Sequence, residues 1–352
     1  MYYCACGYCG TGSSAIYHLL SEYEGMETGN LGDYEHVLMY TPHGVFDLED
    51  VMYRNNGWHN FDAALDDFKR EMKRLNDNDF SWFGGFEARH GDQFNKILKE
   101  FTDSITQYEL DGSWSYDFEG FRIDGLQLAK DTIRKIQGYP RENLGRVIQK
   151  KPDQKIHYSF MPREEYLVHA RKFVHAYLDM MYNGAKEVDL NQFLVPQNLY
   201  RMPDYFGKDM KAVIVDRDPR DLYIITKYVW PIKGFVSRFP MNVKDFCTFF
   251  RGMRESVTPY DESLVMKMNF EDLIYRYDES VAKVEQFFSL DPARHTKPKT
   301  HLDPAISINN TQNYLIKPEW AEEVKYIEKQ LPEYLYHFPY ERQPKLEDTK
   351  FL

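Results

Sequence analysis

No stretch of this sequence approaches the ~18 consecutive apolar residues of a membrane-crossing helix, so no membrane span is expected. The first residues, MYYCACG, lack the basic stretch and apolar core of a secretory signal, which makes a cytoplasmic location the expectation. Cysteine is scarce, with only Cys4, Cys6, Cys9 and Cys247. The first three cluster as C-x-C-x-x-C, but no second C-x-x-C or histidine pair at zinc spacing accompanies them. No metal is therefore expected, and the thiols read as small buried groups in a reducing compartment. Positive charge is also short: 44 Lys and Arg stand against 55 Asp and Glu, a net charge of −11. That balance argues against a general nucleic-acid binder, and an anionic ligand needs a local basic site. There is no internal repeat and no low-complexity tract. What is present is an ordinary globular composition, 43% hydrophobic and 28% charged over 352 residues. That length allows a large core, as one α/β domain with insertions or as two domains. Aromatics reach 16%, mostly core, with a surplus compatible with a sugar-stacking surface.

The organising stretch is Gly7–Ser14, GYCGTGSS. An apolar run (Tyr2, Tyr3, Cys4, Ala5) precedes it and a helical pattern (Ala15, Ile16, Leu19, Leu20) follows. Strand, glycine-rich turn and helix in that order let backbone N–H groups cradle a phosphate. Read as Gly7-x-x-x-x-Gly12-Ser13-Ser14, the loop is a Walker A motif with serine in the lysine position. That lysine reaches the β- and γ-phosphates of a nucleoside triphosphate, so its absence argues against an NTPase or ordinary kinase. The alternative is a serine-capped turn that only starts a helix.

Helices are expected at about 13–23, 46–54, 60–76, 90–109, 124–137, 163–182, 218–229, 243–255, 270–276, 279–290 and 318–332, from apolar spacing. Strands are expected at 156–161, 188–195, 211–216 and 263–268 besides the first. Strands alternating with helices imply an α/β fold with a doubly wound, mostly parallel central sheet. Two aromatic loops, around Trp82 and Phe83 and around Trp114 and Tyr116, interrupt a mainly helical insertion at about 55–155. The chain reads as a single domain around that insertion.

A second motif, Arg217-Asp218-Pro219-Arg220-Asp221, directly follows the buried run KAVIVD. An arginine at the carboxyl edge of a parallel sheet presents its guanidinium where ligands bind, and that planar fork suits phosphate. Pro219 fits the first turn of a helix, with Asp218 or Asp221 capping it or pairing with Arg220. Two phosphate-type turns in one sheet suggest a nucleotide with phosphates at both ends.

Three stretches resemble sulfotransferases that use 3′-phosphoadenosine 5′-phosphosulfate (PAPS), of the bacterial and carbohydrate type. Gly7–Ser14 is similar to the family's 5′-phosphosulfate loop, Val215–Asp221 to its 3′-phosphate motif, and Asn269–Ile274 with Val281–Leu290 to its FEDL segment. His301–Tyr314 resembles a late loop of bacterial members, and the likeness spans nearly the whole chain except 55–155. The resemblance implies a P-loop-like fold, PAPS as co-substrate without metal, and a carbohydrate or small-molecule acceptor. It places Gly7, Gly10, Thr11, Gly12, Ser13 and Ser14 on the 5′ end and Arg217 on the 3′-phosphate, and counts Thr226 among the nucleotide-binding residues. Two departures stand out. The loop cation of the family is replaced by Gly10, and the serine eight residues after the arginine by Ile225, with Thr226 adjacent. In the resembled carbohydrate enzymes a glutamate 25–30 residues past the loop acts as base; Glu35 stands there, with His36 and His43 in reserve. Ser307 and Lys317 read as solvent-exposed loop residues. The competing expectations are a non-catalytic nucleotide-binding protein, which Gly10 favours, and a P-loop-type kinase.

Overall fold

The computed structural model describes residues 1–29, 34–55, 57–78, 82–112, 121–123, 125–138, 148–150, 155–234 and 238–345. Tyr2–Gly7 forms β1, and its side chains divide between two apolar layers. Cys4 and Cys6 face one cluster, Tyr3 and Ala5 the other. Burial on both faces is the signature of an internal parallel strand. The loop then leads into α1 (Ser14–Leu20).

The following part is mainly helical: α2 (Val45–Arg54), α3 (Gly57–Asp77), α4 (Phe86–His90) and α5 (Gln93–Ile105). There follow β2 (Tyr108–Asp111), β3 (Phe121–Ile123), α6 (Gly125–Ile136), β4 (Ile148–Lys150) and β5 (Lys155–Tyr158). β2 pairs with β5 and β3 with β4, both antiparallel. The helix expected through residue 109 thus ends at Ile105, because Gln107 and the residues after it hydrogen-bond the 155–158 strand instead. Tertiary pairing overrides a weak helical preference there. Trp114 and Tyr116 lie outside the described residues.

The long helix α7 (Arg163–Tyr182) returns the chain to the sheet through β6 (Val188–Asn191). The strand stops short of residue 195 because Gln192 takes φ +53° and turns the backbone. Then come α8 (Met202–Phe206), β7 (Met210–Asp216), α9 (Pro219–Ile224), a π-helical turn at Ile225–Val229, and α10 (Val243–Glu255). β8 (Val265–Asn269), α11 (Asp272–Tyr275), α12 (Tyr277–Phe288), α13 (Pro304–Ser307) and α14 (Ala321–Gln330) complete the chain.

The central sheet has strand order β6-β1-β7-β8, and every pairing is parallel. The fold is α/β with helices on both faces, as the alternation of elements implies. One apolar cluster joins Cys4, Cys6, Leu190 and Ile214 to α3, α5 and α7. The other joins Tyr3, Ala5, Val213 and Val215 to α1 and α12. Gly7 lies opposite Val215 in the register, so the carboxyl ends of β1 and β7 open side by side. Both sequence motifs begin there.

Candidate functional site

The loop after β1 is shaped by its neighbours as much as by its glycines. Gly10 has φ +67°, and a Cβ there would lie 2.9 Å from Trp230 Cη2. Gly12 has φ +88°, and a Cβ would lie 2.6 Å from Phe270 Cδ2. Only glycine meets both the left-handed backbone and the close approach. Thr11 is a staple: its hydroxyl donates to Val215 O at 2.7 Å and accepts from Tyr8 N at 3.0 Å. Its side chain is thereby withdrawn from ligand contact, and only its amide remains. The Ser13 oxygen makes no cap bond and instead accepts from Gln192 Nε2 at 2.9 Å. Ser14 opens α1, half-buried. Among the described residues, no hydrogen bond within the chain uses the amides of Gly10, Thr11, Gly12, Ser13 or Ser14. The loop therefore offers a run of unengaged donors, as an anion cradle does.

Arg217 ends the neighbouring strand and is buried. Its guanidinium donates to Gly10 O at 3.3 Å and to Asn310 O, tying the loop to the late segment around residue 310. The same group lies 4.9 Å above the Phe270 ring, and its Nε is buried with no partner among the described residues. Burial pushes its pKa down, while Asp221, Glu271 and Asp218 hold the charge in place. A buried N–H donor without an acceptor is costly, so an incoming oxygen anion fits this corner.

The rest of the second motif is structural. The Asp218 carboxylate caps α9 by accepting from Arg220 N at 2.8 Å and also accepts from Arg220 Nη2 at 2.7 Å. Arg220 goes on to Glu328 at 3.0 Å on α14. Asp221 accepts from Gln312 N and Asn313 N, at 2.7 and 2.6 Å. Burial, then the nearby Asp218, pushes its pKa up to about 7. Glu271, fully buried, accepts from Asp218 N at 2.9 Å, and burial raises its pKa well above the carboxylate range. Thr226 is 1% exposed, and its hydroxyl donates to Tyr223 O at 3.1 Å within the helix. That bond commits its proton within the helix and leaves Thr226 no donor for the nucleotide contact expected of it.

The three acid–base candidates fall in different settings. Glu35 is half-buried, its amide donates to Trp82 O at 2.7 Å, and its charge acts on the thiol of Cys9. His36 is a core residue, which corrects its assignment as a catalytic group. Its Nδ1 is 2.9 Å from Tyr177 Oη and its Nε2 is 2.6 Å from Tyr182 Oη. Burial lowers its pKa to about 3, so it stays neutral and out of reach. His43 lies at an exposed turn 3.8 Å from Asp67. Ser307 is buried at 2% exposure rather than on an open loop, whereas Lys317 is exposed beside Glu319 at 3.9 Å.

Four more residues surround the loop, of which only Phe270, in the Asn269–Ile274 segment, belongs to a stretch the sequence singled out. Gln192 reaches Ser13 from the end of β6, and the polar run Asn191-Gln192 closing a buried strand was the available signal. Trp230 and Phe270 fill the volume over Gly10 and Gly12. Arg238 stands over the Trp82 ring, its guanidinium carbon 5.5 Å from the ring centre, and beside Cys9. No local pattern marks it. A cavity of about 360 Å³ elsewhere is lined by α12 and residues 295–299 and includes none of the loop. Among the described residues, no group of three or more His, Cys, Asp or Glu is arranged to hold a metal. None of their helices is long and apolar enough to cross a membrane.

No protein-family model and no curated protein matches this chain. Among solved structures, the sulfotransferase STF1 from Mycobacterium tuberculosis H37Rv is similar over 94% of this chain and 76% of its own. The sequence identity is 11% and the TM-score 0.34. A likeness that loose decides nothing about the site, and the functional reading rests on the residues.

Proposed function

We propose that this protein transfers a sulfuryl group from PAPS to a hydroxyl of an acceptor, a carbohydrate or glycoconjugate. The observation that carries the reading is the meeting of two anion sites at the ends of β1 and β7. One is the run of unengaged amides from Gly10 to Ser14; the other is the buried, unpartnered Nε of Arg217. A nucleotide with phosphate at both 5′ and 3′ positions matches that pair. The residues fit the donor: Gly10–Ser14 take its 5′ end and Arg217 its 3′-phosphate. The donor supplies an activated sulfuryl group.

In the transfer, the acceptor oxygen bonds to sulfur as the bond from sulfur to the bridging phosphate oxygen breaks. Adenosine 3′,5′-bisphosphate leaves with that electron pair. Glu35, held beside the loop through Trp82, accepts the hydroxyl proton. Loop amides stabilise charge that builds on the sulfuryl oxygens. The exposed face of Trp82 suits an acceptor sugar ring.

A second reading, nucleotide binding without turnover, is favoured by Gly10, which leaves the loop without its own cation. Titration calorimetry with adenosine 3′,5′-bisphosphate and ATP, with and without EDTA, tests the nucleotide assignment. The bisphosphate is expected to bind more tightly, and EDTA to leave it unchanged, since this donor has no β,γ-phosphate pair for a metal to bridge. Preference for ATP with Mg²⁺ would restore the kinase reading. Sulfate transfer to any hydroxyl acceptor separates the enzyme from the binding protein.

A further inference from the structure

An anion on the loop of an acidic protein needs a positive charge beside it, and the loop sequence contains none. Nor does the backbone leave space to add one at Gly10, where Trp230 stands 2.9 Å from the position of a Cβ. Three other guanidinium groups are fastened within the fold, and only the Nε of Arg217 is left for a ligand, at its 3′ end. Arg217 holds Gly10 O and Asn310 O, Arg220 holds Asp218 and Glu328, and Arg254 holds Asp216.

Arg238 differs from these. Its side chain is exposed and lies over Trp82, which in turn is tied to Glu35 through the Glu35 N–H. Its charge acts on the thiol of Cys9, the residue before Gly10. Burial pushes that thiol up, Arg238 pulls it down and Glu35 pushes it up, so both charges face the same loop residue. They act together on Tyr40 as well.

We infer that Arg238, held on the Trp82 ring beside Cys9, is the cation that contacts the charged 5′ end of the nucleotide on the loop. The inference rests on the nucleotide reading above. It also accounts for a carboxylate placed next to an anion site: a guanidinium near both offsets the repulsion between Glu35 and the ligand. An arginine suits the role because it stacks on an aromatic face and still presents N–H donors to sulfate or phosphate oxygens.

The test is titration calorimetry on the wild type, Arg238→Ala and Arg238→Lys with two ligands. Adenosine 3′,5′-bisphosphate carries the 5′ charge; adenosine 3′-monophosphate does not. Arg238→Ala is expected to weaken the bisphosphate about 10–100-fold and to leave the 3′-monophosphate within about twofold, as for loss of one charge-assisted contact. Arg238→Lys should fall between, and melting temperatures should stay at the wild-type value. Equal loss for both ligands, or no loss, overturns the assignment of Arg238 while leaving the nucleotide reading intact. A wild type that binds neither ligand overturns both.

Discussion

Arg217 shows how one side chain can be fixed by the fold in part and left available in part. The Arg217 fork is fastened to two backbone carbonyls, yet its Nε remains without an acceptor, so part of the group is positioned and part is available. Glu35 is positioned through its backbone, by the bond from its N–H to Trp82 O, and its charge acts on the Cys9 thiol. A sugar hydroxyl is a poor nucleophile at neutral pH, and a placed base contributes about 10²–10⁴ in rate. Glu35→Gln keeps the shape and removes the basicity. It is expected to cut sulfate transfer by that factor while bisphosphate affinity and melting temperature hold. Transfer within a few-fold of wild type would show that another group takes the proton, and a large drop in melting temperature would mark Glu35 as a structural carboxylate.

At the scale of elements, the loop and its two covering rings act as one unit. Phe270 is fully buried, packs on Gly12 and lies beneath the Arg217 guanidinium. A methyl group at residue 12 would therefore move the ring and, with it, the arginine. Gly12→Ala adds a left-handed backbone strain of about 1–2 kcal/mol and an overpacking cost of about 1–3 kcal/mol. Urea unfolding should show a loss in that range, and calorimetry should show bisphosphate binding weakened at least tenfold. Full stability with full affinity would mean that the loop has room that its contacts deny. The motif after β7 behaves similarly as a unit. Asp218, Arg220 and Asp221 reach 53 to 118 residues along the chain, to Glu271, Gln312, Asn313, Glu328 and Tyr336, and bind the late segment to α9.

For the whole molecule, the buried His36 couples stability to pH. The folded state holds it neutral down to about pH 3, whereas an unfolded histidine takes a proton near 6.5. Between those values the unfolded chain binds the extra proton, so this group's contribution to stability falls as the solution is acidified below about 6.5. The size is about 1.4 kcal/mol per pH unit. His36→Phe removes the titration, although it takes the ring partner from the Tyr177 and Tyr182 hydroxyls and lowers stability at neutral pH. The stability gap between wild type and variant is expected to narrow by about that slope from pH 6 to pH 4, read from urea unfolding at each pH. Parallel curves would mean that the folded protein accepts the proton.

The amino-acid sequence by itself determined the parts that are local. The apolar run of β1, the glycine turn and the helix after it are neighbours in the chain, as are KAVIVD, Arg217 and the Pro219 helix start. Alternation of such units is enough to imply a parallel sheet with helices on both faces. Which polar groups remain available was decided only by tertiary structure, because their partners lie far away in sequence. His36 and Glu35 are adjacent and look alike as candidates, but the β6 side of the fold buries one between Tyr177 and Tyr182 and leaves the other near the loop. Arg220 resembles Arg217 in the motif, yet Asp218 and Glu328 neutralise it. Arg238 has no signature at all; the fold alone carries it across more than 200 residues to Cys9. A hydrogen bond satisfied at long range is invisible to any local pattern, and it decides whether a charged side chain holds the structure or meets a ligand.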